Sequence, residues 1–122
     1  MARILFIDLN DHRALQTVLQ GLGHQVFREE RTVLSSVDVV FCNAAYQEFA
    51  LIVQSVKLLR PPVPVIAVTL VSNSARALAA LEAGADNYCN SAADAGQLRR
   101  ILEGVGIPSP AKKQLCYQCQ TA

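Results

Sequence analysis

Val63-Pro64-Val65-Ile66-Ala67-Val68-Thr69 is followed, one alanine-rich stretch later, by Ala83-Gly84-Ala85-Asp86-Asn87-Tyr88. The first segment is β-branched and small apolar residues without polar alternation, the pattern of a strand covered on both faces. Pro64 is tolerable only near its start. Ser72 or Asn73 can cap a helix that runs through Ala83, and Gly84 terminates it. Asp86 to Cys89 then reads as a further short strand. A doubly buried strand joined through a helix to the next one is the repeating unit of a parallel sheet.

The same rhythm extends in both directions. Arg3 to Ile7 is an apolar run closed by Asp8, and Asn10 or Asp11 can cap the helix after it. Leu15, Val18, Leu19 and Leu22 share one face of that helix, with Gly21 and Gly23 ending it. His24 to Phe27 reads as a second strand, and residues 29–36 as a stunted helix. Asp38 to Asn43 is the third strand. A helix is expected from Ala45 to Arg60, with Phe49, Ile52, Val53, Val56 and Leu59 on one stripe, stopped by Pro61 and Pro62. The last helix spans Asp94 to Gly104, with Leu98, Ile101 and Leu102 inward. Five strands alternating with five helices, the second helix shortened, predict an α/β, flavodoxin-like doubly wound sheet of order 2-1-3-4-5. This domain occupies residues 1–107. Residues 108–122 turn to Ser, Pro, Lys, Gln and Cys and read as a tail or linker.

The bulk numbers narrow the function classes. The chain has 122 residues, 52% hydrophobic and 17% charged, enough for one packed core. Eleven Lys and Arg against ten Asp and Glu leave a net charge of +1 with no basic block, which argues against nucleic-acid binding by this domain. The apolar runs are too short for a membrane span, and no signal-peptide pattern is expected. Four cysteines in this arrangement do not make a secreted disulfide scaffold, so a reducing cytoplasm is the expected location. Cys42 and Cys89 read as buried small apolar residues. Cys116 and Cys119 form a C-x-x-C, but a structural zinc needs two more ligands, and His12 and His24 are not spaced to supply them.

In a doubly wound sheet the ligand site lies at the carboxyl ends of the strands, near the switch in winding direction. That places Asp8 and Leu9, Asn43, Thr69, and Asn90 with Ser91 together. No Gly-rich phosphate loop follows the first strand, which counts against a nucleotide-binding enzyme. The cobalamin-type Asp-x-His-x-x-Gly is also missing.

Ile4-Leu5-Phe6-Ile7-Asp8, Leu22-Gly23-His24-Gln25-Val26, Asp38-Val39-Val40-Phe41-Cys42 and the two opening segments, in this order, resemble the response-regulator receiver (CheY-like) domain over roughly residues 2–105. That resemblance implies an aspartate phospho-acceptor ending the third strand, an acidic pair for Mg²⁺ after the first, a Thr or Ser after the fourth and a Lys after the fifth. Here the acceptor slot is Asn43, the acidic pair is Asp8 and Leu9, the Lys slot is Ser91, and Thr69 is retained. The proline usual after the Lys is Ala92. A neutral, weakly nucleophilic amide cannot form an acyl phosphate. With Leu9 and Asn43 in place of carboxylates, Asp8 is left as the only formal charge, so Mg²⁺ binding is expected to be weak or absent. The resemblance therefore implies a degenerate, phosphorylation-independent pseudo-receiver of two-component signalling, without enzymatic activity and without a metal or other cofactor. The alternative is a working receiver with an atypical acceptor, or one that senses an anion near Thr69.

Thr69 and Tyr88 match the family's switch pair, or are ordinary strand residues. Asp8 is a residual metal ligand or an acceptor for loop amides. Cys116 and Cys119 are half a metal site or part of a plain tail. A protein partner is expected, with a homodimer through the alanine-rich helix, the fifth strand and the last helix. Ala75, Ala79, Tyr88 and Leu98 are its candidate contacts, although alanine is also simply tolerated on a surface.

Overall fold

The computed structural model describes residues 2–9, 13–28, 37–59, 62–69, 74–90 and 93–107. Their elements run β1 (Arg3–Ile7), α1 (Arg13–Gly21), β2 (Gln25–Arg28), β3 (Val39–Asn43), α2 (Phe49–Lys57), β4 (Val65–Thr69), α3 (Ser74–Glu82), β5 (Asn87–Asn90) and α4 (Ala95–Gly104). All five strands are parallel, as the alternation of apolar runs and helices implied, and their order is β2-β1-β3-β4-β5, the one expected of a flavodoxin-like sheet. Four helices, rather than five, are present among the described residues. The stunted helix expected at 29–36 lies outside them, as do Asn10, Asp11, Ser72, Asn73 and the tail from 108.

Side chains alternate across the sheet and feed two core layers. Ile4, Phe6, Val39, Phe41, Ile66 and Val68 pack with Leu15, Leu19, Leu98 and Leu102 of α1 and α4. Leu5, Ile7, Val40, Cys42, Val65 and Ala67 pack with Val53 and Val56 of α2 and Ala80 of α3. Every residue of β4 is buried, as its unbroken apolar run demands. Phe6 and Phe41, paired in register on β1 and β3, meet at 5.9 Å between ring centroids.

Three of the four described helices stop by one device. Gly23, Gly84 and Gly106 have φ of 93°, 113° and 91°. The amide two places past each helix's C-cap donates back into its last turn: His24 to the Leu19 carbonyl, Ala85 to Ala80, Ile107 to Leu102. These are left-handed glycine caps that satisfy otherwise orphaned carbonyls. Gly84 has a second reason to be glycine, since a Cβ there would lie 2.9 Å from Val53 Cγ1. At the other end of α4, Asp94 and Gln97 form a reciprocal capping box.

The helix expected from Ala45 begins at Phe49 instead. The Asn43 side chain is the reason. Its Oδ1 accepts from the Ala45 amide at 2.9 Å, while the Tyr46 amide donates to the Asn43 carbonyl at 3.0 Å. An Asx-type turn followed by a second turn uses up residues 44–48 before a helix can start.

Candidate functional site

β1, β3 and β4 bring Asp8, Asn43 and Thr69 to one edge of the sheet, as the motif spacing required. Ile7 pairs with Cys42 and Asn43 with Val68, so the residues ending these strands lie side by side. Ser91, Ala92, Cys116 and Cys119 fall outside the described residues.

Asn43 is half-buried, and both ends of its amide are engaged. Nδ2 donates to the Asp8 carbonyl at 3.2 Å while Oδ1 holds the Ala45 amide. A carboxylate could not donate to a carbonyl, so this cross-link between the β1 and β3 loops depends on the amide. Thr69 is buried, and its hydroxyl donates to the Cys89 carbonyl at 3.5 Å, within the sheet.

Asp8 is the one non-glycine residue with positive φ among those described, at 57°. Aspartate tolerates this left-handed region better than most residues. The kink has a topological effect. Strand alternation from Ile4 and Phe6 would send residue 8 to the α1/α4 layer and residue 9 to the opposite one. Leu9 nevertheless packs in the same layer as Phe6, with no solvent exposure. The turn at Asp8 reverses the alternation, leaving the Asp8 carboxylate exposed and driving Leu9 into the core. Leu9 therefore occupies the acidic slot in sequence but contributes to packing, a placement its apolar character could have signalled.

Tyr88 is 45% exposed on β5, and Leu78 of α3 is 62% exposed. Ala75 and Ala79 are also on the surface of α3. Leu98 is not. It has no exposure and is a core residue of α4, which removes it from the candidate interface. Beside Tyr88 lies a shallow groove of about 260 Å³ between β5 and α4, lined also by Asn90, Ala93, Gln97, Arg100 and Ile101. Sequence reasoning missed this groove; its only sequence trace is that Gln97 and Arg100 fall opposite the inward stripe of α4.

Two acids at the other edge of the sheet were also missed. Asp38 precedes β3 and accepts from the Arg3 amide of β1 at 2.8 Å. Asp86 precedes β5 and accepts from the Val65 amide of β4 at 2.8 Å while pairing with Lys57 at the end of α2. Both are Asp residues placed just before an apolar run, which is the signal that was available. Cys42 and Cys89 are buried thiols that form no disulfide among the described residues, and burial pushes Cys89 up to about 12, which keeps it protonated and inert near neutrality. Among the described residues no group of three or more His, Cys, Asp and Glu is placed to hold a metal ion, and no helix is long and apolar enough to cross a membrane.

No family model and no curated protein matches the chain. Solved structures do. A response regulator receiver protein from Burkholderia phymatum superposes with a TM-score of 0.68 at 21% identity, covering 90% of this chain and 99% of that one. A receiver domain protein from Clostridium thermocellum gives 0.64 at 22%, covering 95% and 99%. A protein ascribed to pilus assembly from Burkholderia thailandensis gives 0.69 at 19%, covering 86% and 98%. Likeness at this level of identity speaks for architecture, and on that evidence the chain has the fold of the response-regulator receiver domains.

Proposed function

We propose that this domain acts in two-component-type signalling by binding another protein, without phosphoryl transfer and without being an enzyme. The observation that carries the reading is the Asn43 amide, engaged on both sides at the position where a receiver would need a free carboxylate. The surrounding donors agree. Asp8 offers one exposed carboxylate, Leu9 is sealed in the core, and the amide oxygen of Asn43 already holds Ala45. Mg²⁺ favours several carboxylate and water oxygens in octahedral geometry, and this set does not fit it.

The contact surface we assign is α3, β5 and α4, where Ala75, Leu78, Ala79 and Tyr88 are exposed beside the Arg100 groove. Exposed large apolar side chains next to a groove are what a protein partner can cover. A homodimer through this face is the simplest arrangement. A structural neighbour described as a pilus assembly protein fits a fold used for contact.

Incubation with acetyl phosphate and Mg²⁺, followed by intact-mass measurement, tests the central claim. No mass increase is expected. A stable phosphoryl adduct on any carboxylate would overturn it.

A further inference from the structure

His24 occupies the position after the glycine cap of α1. At the equivalent positions after α3 and α4 the chain places Ala85 and Ile107, both buried apolar residues. His24 is just as buried, at 4% exposure, yet it is titratable. Its Nδ1 accepts from the Ala2 amide at 3.2 Å, and its Nε2 is buried with no hydrogen-bond partner among the described residues. Acceptance at Nδ1 fixes the neutral tautomer that carries its proton on Nε2. The neighbouring residue begins β2, which pairs with β1 alone and forms one edge of the sheet.

We propose that His24 is an acid-sensitive latch: protonating its imidazole releases the β2 edge from β1 while the β1–β3–β4 centre stays folded. Protonation would put a hydrogen on Nδ1 facing the Ala2 amide, so two donors would meet where one bond stood. It would also place a cation inside an apolar layer that includes Ala2, Leu22 and Val26. The adjacent link, from the Gln25 amide to the Ala2 carbonyl at 2.9 Å, would loosen with it.

The surrounding charges do not offset that cost. From β1, Arg3 turns to the opposite face, its guanidinium 5.2 Å over the Phe27 ring. α1 carries Arg13 at its far end and no basic or acidic residue in its last turn. α4, whose Leu102 shares this core layer, carries Arg99, Arg100 and Glu103. Burial and, after it, the amino-terminal charge hold the imidazole below its ordinary range. Because the folded value is depressed, protection of the edge is complete above the unfolded value of about 6.5 and is lost as pH falls through the folded one.

Amide exchange followed by NMR between about pH 7.5 and about pH 5.5, corrected for intrinsic rates, tests the latch. Protection at Gln25 and Phe27, the β2 amides that alternation turns toward β1, is expected to fall at least about tenfold while Phe41 and Ile66 keep theirs. His24→Asn retains an acceptor near the Nδ1 position without a titrating group, and should flatten that pH dependence. Loss of protection in all strands together, an imidazole titrating at its ordinary value, or an unchanged pH profile in His24→Asn would each overturn the proposal. The wild-type comparison of β2 with β3 and β4 decides the matter even if the variant does not fold.

Discussion

Asn43 shows how one atom changes what a position can do. A carboxylate in its place keeps an acceptor for the Ala45 amide but loses the donor that reaches the Asp8 carbonyl. Two acceptors would then face each other. Asn43→Asp is therefore expected to destabilise the domain by about 1–2 kcal/mol, measured by urea unfolding. It should also fail to restore phosphorylation by acetyl phosphate, because Leu9 still contributes no oxygen. An Asn43→Asp protein that is both as stable as the parent and labelled would contradict this account. Much of the site was legible: the strand-end positions of Asp8, Asn43 and Thr69 followed from apolar run lengths alone. The turn at Asp8 was not, because it depends on a left-handed backbone that no residue pattern announces, although the apolar side chain of Leu9 was a mark of the burial that follows from that turn.

At the scale of elements, strand ends are held by side chains as much as by ladder bonds. Asp86 joins β4, β5 and α2 by accepting from the Val65 amide and pairing with Lys57. Its two partners are unequal in energy. The Val65 amide would be left without its acceptor in Asp86→Ala, expected to lower stability by about 1–3 kcal/mol. Both members of the Lys57 pair are about one-third exposed, so Lys57→Met should cost under about 1 kcal/mol. Equal losses in thermal or urea unfolding would show that the ion pair, not the amide, is the main interaction. The strands and the helix after Asp94 could be read directly because burial and capping leave strong sequence marks. The start of α2 could not: the stripe of Phe49, Ile52, Val53 and Val56 sets the helix's phase, while the Asn43 side chain sets where it begins.

At the scale of the whole molecule, the described apolar residues form two buried layers, while Leu78 and Tyr88 lie exposed on α3 and β5 and Leu51 and Leu58 lie exposed on and just after α2. Leu98 and Tyr88 belong to different categories although both were candidate interface contacts, and the inward stripe of the last helix already pointed to Leu98 as core. Leu98→Ala should cost about 2–5 kcal/mol, as expected for a fully buried leucine. Tyr88→Ala, at a half-exposed ring, should leave unfolding nearly unchanged yet weaken the homodimer proposed for this face, read by sedimentation velocity. A stable Leu98→Ala or an unaltered association would refute that division. The strand order carries a kinetic consequence as well. β1 lies between β2 and β3, and its contact with the segment entering β3 joins Arg3 to Asp38 across 35 residues. Non-local pairing of this kind slows collapse to the native arrangement. During synthesis, one side of β1 has no neighbour until Val39 to Asn43 leave the ribosome, and for that interval an apolar ribbon is open to mispairing.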